Sequence, residues 1–468
     1  MATEATLTAP KLAGEKAAPT NLLDTLLLRC NQPADGTSLA LFRILFGGVM
    51  ALAMIRLLVK GWVQELYLAP AFHFTWEWFP WVKVLPGVGM YLLVAGLALL
   101  ALGIAVGWRC RFCALLFFCG FTYLELIDQT TYLNHYYLVS LLSGLLVFLP
   151  ADAAWSWNAH KQAERLVPVW TIWLLRFQLS AVYLFAGLAK LNADWLLEAQ
   201  PMRIWLAARS DLPMIGEILA HTWVAYLASW TGALYDLMIP FLLFWSRARS
   251  WAYLAVIGFH VMTSVLFNIG MFPWIMLVAT LIFFPPGWAR GVIGKWMKLL
   301  LAMPQQKESV KDASRQPLAS SLKAWSFVML AAYVAIQVIL PLRSYLHPQQ
   351  GAWDGQGFNF SWRVMLVEKT GYVEFYAFDP ATHKRERLGA DHLITPRQRV
   401  MMAQDPGMIV QLARRLAADF PAMGKSGWEV RADAWATLNG RPSQRLIRPE
   451  VNLAATLPAD WIAPLREN

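Results

Sequence analysis

Along most of this chain apolar residues run in unbroken blocks, and polar residues serve only as short punctuation between them. A helix that crosses a hydrocarbon layer about 30 Å thick needs about 20 such residues at 1.5 Å each. Nine blocks meet or approach that length: Leu39–Val59, Gly87–Val106, Cys110–Ile127, Tyr136–Leu149, Trp170–Ala189, Trp223–Trp245, Trp251–Phe267, Met271–Phe284 and Ala324–Leu342. Those beginning at Tyr136 and Met271 are short and are expected to be tilted, extended or partly re-entrant. Beyond Phe358 the period changes. Phe358–Val367 and Tyr372–Phe378 read as two strands turning at Lys369–Gly371. Pro396–Phe420 reads as a helix interrupted at Asp405-Pro406, and Trp428–Leu438 with Gln444–Ile447 as a second hairpin around Asn439-Gly440. The pattern predicts an all-α polytopic membrane bundle of about nine transmembrane helices over residues 29–342, followed by a small α+β domain over residues 343–468.

Composition sharpens this reading. With 57% hydrophobic and only 15% charged residues, the 468-residue chain has too little polar surface for an ordinary soluble domain. Its formal charge of +10 falls at the ends of the apolar blocks and not on an aromatic-interleaved patch, so it points to membrane topology and away from nucleic acid. Alternate connections carry the basic residues: Arg109 and Arg111, then Lys161 and Arg165, then Arg247 and Arg249, then a run from Arg290 to Lys323. Placing these inside puts the N-terminus in the cytoplasm of a plasma (inner) membrane protein and the C-terminal domain outside. Residues 1–28 read as a disordered cytoplasmic tail, and 305–321 as a flexible cytoplasmic linker. All four cysteines, Cys30, Cys110, Cys113 and Cys119, precede residue 120, and no metal-ligand set accompanies them, so neither a structural disulfide nor a metal is expected.

Ionisable groups at membrane depth cost on the order of 3 kcal/mol each at a helix centre, so each needs a partner or a job. Arg176 and Asp236 fall at similar depth in the fifth and sixth blocks and are expected to form a structural ion pair. A second group gathers toward the outer surface: Glu125 and Asp128 end the third block, Asn134 and His135 begin the fourth, Lys190 ends the fifth, and His260 lies past the middle of the seventh. Taken singly, each has an ordinary explanation as a helix cap, a snorkelling lysine or a satisfied core histidine. Together they assemble carboxylates, an amide, two imidazoles and an amine in one layer, which suits proton abstraction. An amine is a base near neutral pH only where water is kept from it, and the rim of an apolar bundle offers that.

These same residues sit in familiar segments. Thr131–Leu138 (TYLNHYYL), Arg176 through Ala186–Trp195 (AGLAKLNADW) and Phe259–Ser264 (FHVMTS) with Ile269–Phe272 resemble the signature segments of the vitamin K-dependent γ-glutamyl carboxylases and the HTTM domain they share with bacterial relatives. Pro341–Arg343 and Phe360–Met365 extend the likeness into the tail, so that it spans about residues 30–468. The resemblance implies a lysine base that activates a reduced vitamin K-type quinone toward O2. The quinone ends as an epoxide, and the strong base so formed removes the γ-proton of a substrate glutamate, which then takes up CO2. It assigns the catalytic lysine to Lys190, the functional histidines to His135 and His260, and the quinone contact to Asn134. Glutamate-substrate contacts fall on Phe358, Phe360, Ser361 and Trp362. The implied partners are a lipid-soluble quinol, membrane lipids and a Glu-containing peptide or protein. Departures concern the peptide side. Thr263 replaces a usual Asn and Arg363 an acidic residue, the tail lacks the cysteine of the vertebrate inter-domain disulfide, and the longer exterior region that binds a substrate propeptide in vertebrate members is not expected in full. Two alternatives stay open: a quinol epoxidase without glutamate carboxylation, and a lipid-binding or transport protein, although no repeated halves of the transporter kind are visible.

Overall fold

The computed structural model describes residues 21–161, 164–267, 269–293, 321–346, 351–355, 357–455 and 461–463. The expected tail before residue 21 and the expected linker from residue 305 to 320 lie outside the described residues. Residues 22–28, assigned above to the disordered tail, instead belong to a helix, Leu22–Cys30, whose N-cap Asn21 accepts from the Asp24 amide.

Every one of the nine apolar blocks is helical: α1 (Thr37–Val59), α2 (Val88–Val106), α3 (Cys110–Ile127), α4 (Asn134–Phe148), α5 (Trp170–Ala189), α6 (Thr222–Phe244), α7 (Arg249–Leu266), α8 (Phe272–Thr280) and α9 (Ala324–Leu342). Six of them, α1, α2, α3, α5, α6 and α9, are long and apolar enough to cross a membrane. Helix α4 is shorter, as is α8, which continues as a single turn to Phe283. Helix α7 has the length, but Arg249, Ser250, His260, Thr263 and Ser264 dilute its apolar character. Three of those five residues, His260, Thr263 and Ser264, line the site described below.

Helices α1 and α2 meet backbone to backbone: a Cβ on Gly47 would lie 2.6 Å from the Ala105 amide nitrogen. Beside that contact the fully buried Arg43 donates to the carbonyls of Ile104 (2.8 Å) and Ala151 (2.9 Å), and also to those of Ala105 and Trp155. The guanidinium thereby satisfies acceptors freed at the end of α2, without any carboxylate.

Arg176 behaves in the same way, and this overturns the expected pair with Asp236. Its guanidinium donates to the carbonyls of Ile282 and Phe284, both at 2.9 Å, where the helical run from Phe272 ends. A helix C-terminus presents unpaired carbonyls and a partial negative charge, and Arg176 answers both. Asp236 pairs with Lys190 instead. Arg176 and Lys190 lie about 21 Å apart along the axis of α5 at 1.5 Å per residue, so one carboxylate cannot serve both.

The C-terminal domain is a four-stranded antiparallel sheet in the order β2-β1-β3-β4, formed by β1 (Lys369–Phe378), β2 (Arg385–Leu388), β3 (Glu429–Leu438) and β4 (Gln444–Arg445). The central pair runs in register from Lys369↔Leu438 to Phe378↔Glu429, and β3 buries every second residue from Val430 to Leu438. Helices α10 (Pro396–Met402) and α11 (Pro406–Ala417) cover that face, separated at Asp405-Pro406 as the sequence indicates. The hairpin at Asn439-Gly440 is also found, with both residues at positive φ.

The expected strand over Phe358–Val367 does not form. This stretch is an irregular loop, with Phe360, Trp362 and Met365 all at positive φ, and β1 begins only at Lys369. Its alternating aromatic residues plug into the helical bundle. Phe360 meets Tyr132 and Tyr137 with ring centroids 5.0 Å away, Trp362 stacks on Tyr137 at 5.0 Å, and the Phe360 amide donates to the Tyr132 hydroxyl at 2.9 Å. Elsewhere Asp128 accepts from Gln398 of α10 at 2.7 Å, which docks the domain on the α3–α4 turn.

Candidate active site

Lys190 caps the C-terminus of α5, and its position follows from Gly187. A Cβ there would fall 2.8–2.9 Å from Leu237, its backbone nitrogen included, so α5 and α6 touch as only glycine permits. That contact sets the end of α5 level with the second half of α6. The chain after Lys190 folds back over the site, and Trp195, Met202 and Leu206 close it.

In this enclosure the Lys190 amine donates to Asp236 Oδ2 at 2.8 Å and to the Ala186 carbonyl at 3.2 Å, and lies 5.2 Å from the Trp195 ring centroid. The two side chains are only 7% and 8% exposed, so water does not reach the pair freely. His260 lines the same cavity, of about 310 Å³, and is 1% exposed. Its Nε2 is 3.0 Å from the Tyr183 hydroxyl, and its Nδ1 has no hydrogen-bond partner among the described residues. Thr263, one turn further along α7, bonds back to the His260 carbonyl at 3.1 Å.

A second cavity, of about 730 Å³, adjoins the first. Glu125, Asn134 and His135 line it, and Phe267, Ile269, Phe272, Val364 and Met365 line both cavities. The Phe272 ring stands between the two imidazoles, 5.9 Å from His135 and 5.8 Å from His260 by centroids. Glu125 Oε2 and His135 Nε2 are buried and without partners among the described residues. Asn134 spends its side chain on the loop, donating to the Arg363 carbonyl at 3.3 Å and accepting from Tyr132 at 3.2 Å.

The structure therefore brings together Lys190, His260 and Asp236 in one cavity, and His135 and Asn134 in its neighbour. Asp128 is set apart, because Thr130 and Gln398 take up both its oxygens. Among the resemblance-assigned substrate residues, Ser361 and Trp362 are buried at 2% and 1% exposure, while Phe358 and Phe360 are half-buried. No peptide arriving from outside touches Ser361 or Trp362 in this conformation; they hold the loop, and their neighbours Val364 and Met365 face the cavities. Two residues of the site, Asp236 as the partner of Lys190 and Tyr183 as the partner of His260, were missed. A signal for Tyr183 existed, since Tyr183, Ala186, Gly187 and Lys190 recur at the spacing of one helical face.

A helical bundle with membrane-crossing helices, a buried amine–carboxylate pair and a small docked sheet domain defines a multi-pass membrane protein with an enclosed ionisable site. Residues 31–288 match the family model of the HTTM domain, and residues 322–468 match that of the vitamin K-dependent gamma-carboxylase lumenal domain. The chain belongs to the vitamin K-dependent gamma-carboxylase family. No solved structure matches it. Membership implies vitamin K hydroquinone, O2 and CO2, with Glu-containing protein substrates.

Proposed function

We propose that this protein is a quinol-dependent γ-glutamyl carboxylase whose general base is the Lys190–Asp236 pair. The observation that carries this reading is the sealed amine–carboxylate contact of 2.8 Å in one cavity with His260, separated from His135 by a single ring. The residues suit a flat apolar head group with oxygens at its ends: the smaller cavity is almost wholly apolar, and the buried His260 Nδ1 has no hydrogen-bond partner among the described residues. When bound, the reduced quinone supplies, on reaction with O2, the strong base that takes a γ-proton from glutamate. Lys190 and His260 are the residues of the smaller cavity that would hold it, while His135 and Asn134, which the resemblance also assigns to it, line the adjoining cavity.

Lys190 takes the initiating proton. Asp236 stands 2.8 Å from that amine in a site that water does not reach freely. On accepting a proton from a bound acid, the ammonium finds its counter-charge already in place. His260, held by Tyr183, offers its second ring nitrogen to an oxygen in the cavity. His135 and Glu125 serve the larger chamber, into which a glutamate side chain reaches past Val364 and Met365. The capping segment with Trp195 and Leu206 excludes water that would quench a strong base. Nine membrane crossings, with the C-terminal domain on the outer face, place the two chambers within reach of lipid on one side and peptide on the other.

Purified protein given a reduced naphthoquinone and O2 is expected to form the epoxide, and Lys190→Ala to form none. Normal turnover by that variant removes Lys190 as the base. Labelled bicarbonate with a Glu-containing peptide then distinguishes a carboxylase, which fixes label, from an epoxidase, which does not.

A further inference from the structure

Two apolar stripes face each other across the smaller cavity. Val224, Leu227, Ala228 and Thr231 on α6, and Phe259, Met262, Thr263 and Leu266 on α7, each follow the spacing of one helical face, and all eight line the cavity. The slot between them is closed at one end by Tyr235 stacked on Phe259 at 3.9 Å. Its side is open. Leu227 and Met262 form the lips at 58% and 48% exposure, with Thr231 exposed beside them. The surrounding faces of both helices are apolar, with Leu234, Met238, Leu254 and Val265 exposed, so the opening meets lipid chains and not water.

The cavity thus has a polarity gradient, with Lys190, Asp236 and His260 at its buried end and only aliphatic, aromatic and hydroxyl side chains toward the lips. Its 310 Å³ is at the bottom of the range of roughly 300–1,000 Å³ for ligand sites. That is room for a two-ring head group and little more. We propose that the slot between α6 and α7 is a lateral portal that admits a prenylated naphthoquinone from the bilayer and leaves its tail lying between Leu227 and Met262, in lipid. Tail recognition is then a property of the lips, separate from the chemistry of the buried end. The inference rests on the functional reading above.

The test is binding to protein in lipid nanodiscs, read by tryptophan quenching and by the thermal unfolding midpoint. The probes are two oxidised naphthoquinones, 2-methyl-1,4-naphthoquinone and the same ring with a four-isoprene tail. Wild type is expected to bind the tailed compound more tightly. Leu227→Asn and Met262→Asn, which make the two exposed lips polar without filling the slot, are expected to weaken the tailed compound at least about tenfold and to leave the tailless one within about twofold. Phe241→Trp, exposed on α6 but away from the slot, is expected to change neither. If both lip variants lose both compounds equally, or lose neither, the portal is overturned while epoxide formation by wild type still supports the functional reading. If wild type binds neither compound and forms no epoxide, the functional reading itself fails.

Discussion

At the scale of single residues, the proposed reaction depends on the partner of Lys190. Asp236→Asn keeps the size of the side chain but cannot balance the charge of the ammonium 2.8 Å away. Epoxide formation is expected to fall on the order of 100-fold or more, with Asp236→Glu recovering part of it. Tyr183→Phe frees His260 Nε2 and is expected to lower the rate about tenfold at unchanged fold, as judged by thermal unfolding. Lys190 and the two histidines were legible in the sequence because charge and imidazole stand out against an apolar helix. Their pairing was not. Arg176 and Asp236 seemed matched by depth, and nothing local reveals that Arg176 is occupied by the carbonyls of Ile282 and Phe284, more than a hundred positions away.

The helices and strands bear the same lesson at the next scale. Long apolar blocks announced every bundle helix, since a hydrocarbon layer leaves a backbone few other options. The loop at Phe358–Val367 imitated a strand because its aromatics alternate. That alternation serves a plug between Tyr132 and Tyr137, a contact between residues more than two hundred positions apart. Close helix contact makes Gly187 the tightest constraint on the site. Gly187→Ala is expected to spread α5 from α6, draw Lys190 away from Asp236 and cut epoxide formation on the order of 100-fold, while the chain still inserts. In the sheet domain, Lys369 at the start of β1 donates to the Trp353 carbonyl, and burial pushes its amine down to about 8. Asp405 and Asp354 oppose that shift only in part. A lowered folded-state value burdens the fold while both states carry the proton and relieves it once the folded state sheds it. The unfolding midpoint is therefore expected to rise from pH 8 toward pH 10, and Lys369→Met to flatten that rise.

For the whole molecule, the two family domains act as one body because the loop and Asp128 tie them together. Trp362→Ala removes a ring buried in the bundle core, and Gln398→Ala breaks the bond to Asp128. Either is expected to expose the connection near Met365 to limited proteolysis and to impair glutamate carboxylation more than epoxide formation, because Val364 and Met365 wall both chambers. Arg43 carries a different consequence. The first bundle helix holds a permanently charged guanidinium whose receptors, at Ile104, Ala105, Ala151 and Trp155, belong to chain made only later. A nascent α1 released by itself into the bilayer would strand that cation in hydrocarbon. The two helices are therefore expected to insert as a hairpin, with α1 held in the membrane less firmly in a chain stalled before residue 104 than in one stalled after Trp155.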